Sequence, residues 1–148
     1  MNPVFLVLCA LAAGCGLSLQ AGINSELRTA TGSGTWAAFA SFLVGALALF
    51  FFTLPVRQHW PALALLKAAP WWVWSGGLIG AAYVVSTILI APRLGATTFF
   101  SIVIAGQLAA SLFLDRFGLL GFAAQRITPL RIVGLLLVMA GAYCVRSF

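Results

Sequence analysis

The sequence predicts an all-α, polytopic membrane protein of five transmembrane helices. Two features of composition and one of pattern carry that prediction. Of the 148 residues, 63% are hydrophobic and 7% are charged. A soluble domain carries about 25% charged residues, so this chain lacks the charge to cover a water-facing surface, and lipid must be the solvent around most of its side chains. The pattern is five apolar stretches of membrane-crossing length, separated by segments that hold four of the six prolines and most of the charges. Five spans of about 20 residues use about 100 residues. The chain is therefore read as a single five-helix transmembrane domain over residues 1–148, with any chemistry inside the bundle or at its mouths.

Span 1 covers about residues 3–21. Its segment Leu11-Ala12-Ala13-Gly14-Cys15 loosely resembles a lipoprotein cleavage site. The first turn has no Lys or Arg, however, and apolar residues continue past the cysteine, so it is read as a span. A polar connection over residues 22–34 follows, with Asn24, Glu26 and Arg28. Span 2 covers residues 35–54 and ends at Pro55. The connection 55–70 holds Arg57, His59, Pro61 and Lys67, and its part 60–69 is read as a short interfacial helix. Span 3 covers residues 71–91 and is stopped by Pro92. The link 92–95 is short enough to force spans 3 and 4 into an antiparallel hairpin. Span 4 covers residues 96–114, the link 115–128 follows, and span 5 covers 129–146 with Pro129 in its first turn. Trp36, Trp60, Trp71, Trp72 and Trp74 fall near the expected interfaces, as anchors with one side in hydrocarbon and the indole N–H among headgroups.

The net charge is +6, but Arg28, Arg57, Lys67, Arg93, Arg116, Arg126, Arg131 and Arg146 lie singly at span ends and in connections. They form no basic stripe, which argues against nucleic acid and for contact with anionic lipid headgroups. Arg57, Lys67, Arg116, Arg126 and Arg131 fall on the side of the N-terminus, against Arg28, Arg93 and Arg146 opposite. This favours a cytoplasmic N-terminus, by a margin small enough to admit insertion in both orientations. Cys9, Cys15 and Cys144 lie in apolar spans without a CxxC or Cys/His cluster, so they read as packing residues; no metal or cofactor is expected. Walker, HExxH and Ser/His/Asp arrangements are missing from the sequence, and an enzyme is not expected.

The elements Gln20-Ala21-Gly22-Ile23-Asn24, Gly106-Gln107-Leu108 and Asp115-Arg116-Phe117-Gly118 resemble the YdcZ-type family of small bacterial inner-membrane proteins. The stretch from Leu94-Gly95-Ala96-Thr97 through Gly134 and Gly141 also resembles the closing half of a drug/metabolite transporter domain. The resemblance implies a five-helix unit of that superfamily in the bacterial inner membrane, half of an inverted-repeat transporter fold that dimerisation completes. An antiparallel homodimer fits the weak charge bias. Inverted repeats place a small-molecule substrate near the midplane between the halves.

Polar groups within spans must find partners, protein or water. At about 100° per residue, Thr97, Ser101, Gln107 and Ser111 of span 4 share an arc of about 120°. Gly76, Gly80, Tyr83, Ser86 and Thr87 of span 3 do the same, and Gly16, Gln20 and Asn24 of span 1 lie one turn apart. These faces are expected to line a common cavity in which Gln20, Asn24, Tyr83, Ser86, Ser101 and Gln107 bind substrate. The alternative is that the amides join helices. Glu26 and Asp115 are the two acids of the chain and hence the candidates to couple transport to an ion. Both sit at predicted span ends, where Arg28 and Arg116 are close by. A deep carboxylate that exchanges a proton for a cation is therefore lacking, which favours a neutral or anionic cargo. Gly134 and Gly141 share a face of span 5 and resemble the final-helix dimer motif of the small multidrug resistance family; they are expected to pack against a second copy. The function that emerges is a secondary transporter of a small polar molecule or metabolite, working as a dimer by alternating access. The other reading is a non-transporting membrane subunit that packs against or regulates a larger complex.

Overall fold

A computed structural model of the chain describes residues 2–55 and 62–147. Over those residues the order is α1 (Pro3–Thr31), α2 (Gly34–Thr53), the short α3 (Leu63–Ala68), a 3-10 turn (Trp71–Trp74) leading directly into α4 (Ser75–Leu94), α5 (Ala96–Phe117) and α6 (Pro129–Ser147). Five segments are long and apolar enough to cross a membrane: α1, α2, the stretch Trp71–Leu94, α5 and α6. Arg57, His59, Trp60 and Pro61 lie outside the described residues, so of the expected interfacial helix only Leu63–Ala68 is described. Trp36, Trp71, Trp72 and Trp74 are all exposed. The chain divides into two compact units, Met1–Ile90 and Ala91–Phe148.

In the first unit, α1 begins with Asn2, whose Oδ1 accepts from the Val4 N–H at 2.9 Å, and with Pro3 at the first helical position, where no N–H is needed. The helix is 29 residues long, about 44 Å at 1.5 Å per residue, against a hydrocarbon core of about 30 Å. It overruns the end expected at residue 21 and absorbs most of the predicted connection 22–34. Polarity there does not end the helix. The hydroxyls return to the helix's own carbonyls, Thr29 to Ser25 at 3.3 Å and Thr31 to Leu27 at 2.8 Å, and the helix stops where Gly32 takes φ +68°. Ser33 then caps α2 by accepting from the Trp36 N–H at 3.4 Å.

The core of this unit is small. Ala37 and Ala38 of α2 and Val84 and Ile88 of α4 are buried, with Leu27, Tyr83 and Val85 packed around them. Lipid is as apolar as these side chains, so close backbone approach rather than water exclusion holds such helices together, and small residues permit it.

Pro92 does not stop α4, which continues to Leu94 and ends at Gly95 with φ +83°. A proline inside a helix withholds the N–H that the carbonyl four residues earlier needs; here that carbonyl belongs to Ile88. Arg28 of α1 supplies the missing donor, its Nη1 lying 3.3 Å from the Ile88 oxygen. The 3-10 geometry of Trp71–Trp74, expected to be α-helical, places the first turn of span 3 outside regular α4.

In the second unit α5 packs against α6. α5 runs three residues past the expected end at 114 and closes at Gly118, φ +60°, with the Leu119 N–H returning to the Leu114 oxygen at 3.1 Å. A Cβ at Gly118 would lie 3.1 Å from Ala124 Cβ and 3.2 Å from the Ala124 nitrogen. Gly118→Ala is therefore expected to cost about 1–2 kcal/mol for the left-handed backbone alone, and more for the contact. Thermal unfolding in detergent checks it, and an unchanged midpoint would contradict this account of the turn.

Candidate functional site

On α1, positions 21, 24, 27 and 28 fall on one helical face, and that face is the inward one. Ala21 and Asn24 are buried, and Leu27 and Arg28 are half-buried. Asn24 is only 3% exposed, yet its Nδ2 has no hydrogen-bond partner among the described residues. Leaving a buried donor unmade costs about 1–3 kcal/mol, and native structures retain such groups where a ligand, an ion or water completes them. One turn further along, Arg28 holds the Ile88 carbonyl. Thr87, beside Ile88, is 4% exposed and donates to the Val84 oxygen at 2.8 Å, leaving its oxygen free to accept. Glu26 is exposed and does not pair with Arg28. This region thus gathers hydrogen-bond donors and an uncompensated cation.

The other expected residues of this unit have different surroundings. Gln20 is exposed and lines a cavity of about 310 Å³ with Ser41, Phe42, Gly45, Ala46 and Leu49, so Gln20 and Asn24, one turn apart, open on different environments. Tyr83 is half-buried against the Ala37–Val84–Ile88 cluster. Ser86 donates back to the Ala82 oxygen at 2.8 Å.

In the second unit a cavity of about 400 Å³ lies between α5 and α6, lined by Leu108, Ser111, Leu112, Asp115, Arg131, Gly134 and Leu135. Arg131 Nη1 pairs with Asp115 Oδ2 at 3.3 Å, and its Nη2 donates to Gln125 Oε1. The Gln125 N–H in turn donates to the Asp115 carbonyl oxygen at 2.7 Å. Asp115 thus ties the 118–128 connection to the start of α6 through Arg131, not through its neighbour Arg116. Gln107 is exposed on α5, and its side-chain amide makes no hydrogen bond among the described residues. Ser101 returns its hydroxyl to the Thr97 oxygen at 2.7 Å. Gly134 and Gly141 are exposed, and a Cβ on either meets nothing within 4 Å of its own chain.

Sequence reasoning read Arg28 as a headgroup contact and a neighbour of Glu26, not as a donor to Ile88, and it named Asp115 without its partners Arg131 and Gln125. The signal for Arg28 was present. A proline in a helical stretch orphans a known carbonyl, and only a donor from another segment can satisfy it. No sequence signal points to Arg131 and Gln125, because their meeting depends on how the 118–128 connection folds. Among the described residues no three of His, Cys, Asp and Glu come together, so the groups offered to a ligand are amides, hydroxyls and guanidinium.

The sequence matches, over residues 5–144, the family described as "Putative inner membrane exporter, YdcZ". It is 30% identical over 156 aligned positions to the inner membrane protein YdcZ of Escherichia coli (strain K12), with all of both chains covered. No solved structure matches. The family match spans nearly the whole chain, across all five apolar helices, and the protein therefore belongs to the YdcZ family of membrane proteins.

Proposed function

We propose that this protein is a secondary transporter of a small polar molecule or metabolite in the bacterial inner membrane, working as an antiparallel homodimer by alternating access. The observation that carries the reading is Asn24: a buried amide whose Nδ2 has no partner among the described residues. A helix bundle built only to pack would fill that place with an apolar side chain. Membership in a family described as exporters supports transport rather than catalysis. Gln107 supports the second copy, because a side-chain amide on a membrane-length helix with no partner among the described residues needs one from a substrate, from water or from another subunit. Gly141 adds to this: its open face lets a second backbone approach closely. The N-terminus is assigned to the cytoplasm, with dual insertion allowed by the small charge bias.

The test is thermal stability of purified protein in detergent against a panel of neutral, anionic and cationic metabolites, with Gln107→Ala alongside. A ligand bound only to the folded state adds about 2.7 kcal/mol at a hundredfold excess over its Kd. A stabilising class whose effect is lost in Gln107→Ala supports transport and a binding role for that amide. Parallel loss of ligand response and dimer would make Gln107 a helix-joining residue. No response across the panel, with the variant as stable as the parent, would favour a non-transporting packing subunit. Gly141→Leu is expected to leave the monomer folded, since a Cβ there meets nothing within 4 Å among the described residues, and to abolish the dimer in cross-linking. Gly134 is a less clean probe because it also lines the cavity beside Asp115.

A further inference from the structure

The inward face of α1 carries two features that its packing leaves incomplete. Asn24 presents an unpartnered amide N–H2 in a buried position, and Arg28, one turn on, presents a half-buried guanidinium with no carboxylate beside it. The one ion pair among the described residues joins Asp115 to Arg131, and Glu26, two residues before Arg28, points to the other side of α1 and is exposed. Arg28 is held by a neutral group, the Ile88 carbonyl, which needs it only because Pro92 has no N–H to offer. The carbonyl engages one N–H of a fork that carries five, so the cation is parked rather than neutralised.

We propose that Asn24 and Arg28 form the subsite for a carboxylate on the transported molecule, and that its binding draws Arg28 away from the Ile88 carbonyl. The assignment rests on the transporter reading and narrows its cargo to anions or zwitterions. A carboxylate has two coplanar oxygens; a guanidinium edge matches them, and the Asn24 amide adds a donor from the next turn. The buried hydroxyl of Thr87 donates to the Val84 oxygen, which leaves its own oxygen to accept from a donor elsewhere on the cargo. Losing Arg28 leaves the Ile88 oxygen unpaired, and α4 is then free to bend at Pro92. Substrate occupancy and the shape of α4 are thereby linked through one guanidinium.

The experiment is binding by full-length protein purified in neutral detergent. The probes are short water-soluble carboxylates, their uncharged amide analogues and inorganic phosphate, with phosphatidylglycerol titrated separately. Carboxylates are expected to raise the unfolding temperature and their amides not to. Asn24→Leu, which removes an unpaired donor, is expected to unfold no earlier than the parent yet bind about 10-fold more weakly. Arg28→Gln combined with Pro92→Ala is expected to bind about 100-fold more weakly, those factors being the scale of one neutral and one charged hydrogen bond. Pro92→Ala returns an N–H to Ile88, so the double variant keeps α4 intact while lacking the guanidinium. Pro92→Ala alone is expected to bind carboxylate at least as tightly as the parent, since Arg28 no longer has a carbonyl to leave.

Stabilisation by neutral or cationic compounds, unaffected by either variant, would overturn the subsite and leave the transporter reading standing. Response to phosphatidylglycerol but to no soluble anion would overturn the subsite as well, making Arg28 a lipid contact. Silence across all probes in binding and in counterflow from proteoliposomes would remove the transporter reading and the subsite with it.

Discussion

Arg28→Ala is expected to destabilise the protein by about 1–3 kcal/mol, and Pro92→Ala to cancel most of that loss. The cost follows from leaving the Ile88 carbonyl oxygen with no donor in a nonpolar setting. Ile88 is fully buried, so water has little access to replace the guanidinium 3.3 Å away. With alanine at position 92 the helix satisfies that oxygen itself, and Arg28 becomes dispensable to α4. The measurement is a double-mutant cycle on unfolding in detergent. A coupling of about 1–2 kcal/mol between residues 28 and 92 is the expected result. Equal cost of Arg28→Ala in both backgrounds would mean that the guanidinium acts as a charge at the end of α1 and not through the carbonyl.

Gly34→Val is expected to be comparably disruptive, at about 1–3 kcal/mol for overpacking, while Gly34→Ala is nearly neutral. A Cβ at Gly34 would lie 3.0 Å from Leu89 Cδ2 and 3.4 Å from Ile88 Cγ2. Leu89 is 38% exposed and its terminal methyl can turn aside, whereas Ile88 is 0% exposed and has nowhere to go. Alanine meets only the yielding neighbour and gains helix propensity over glycine; valine drives a second carbon toward the fixed one. The effect is large because Gly34 is where α2 meets Ile88 and Leu89 of α4 at close range. In lipid there is no compensating gain from burying the larger apolar surface. Unfolding midpoints of the two variants check this, and a valine variant as stable as the parent would show that the helices can separate at no cost.

Five membrane-length helices were legible in the sequence because the bilayer imposes length and apolarity on each span independently of its neighbours. Helix ends were less legible. The polar run after Gly22 looked like a connection, yet α1 continues to Thr31, where threonine hydroxyls bond back to the helix's own carbonyls. Pro92 looked like a stop, yet α4 passes it, since a donor from another helix replaces the missing N–H. The same division holds for the candidate site. The sequence picked out Gln20 and Asn24 as amides one turn apart, at the end of span 1 and just beyond it, because polarity beside an apolar stretch is visible residue by residue. Only the tertiary structure decided that Asn24 is buried with a spare donor while Gln20 opens on a separate cavity. It also decided that Asp115 answers to Arg131 across the fold of 118–128, and that Arg28 serves the Ile88 carbonyl 60 residues away. Composition and periodicity report what a segment can cross; which lone pairs and N–H groups remain unmatched depends on partners that only packing brings together.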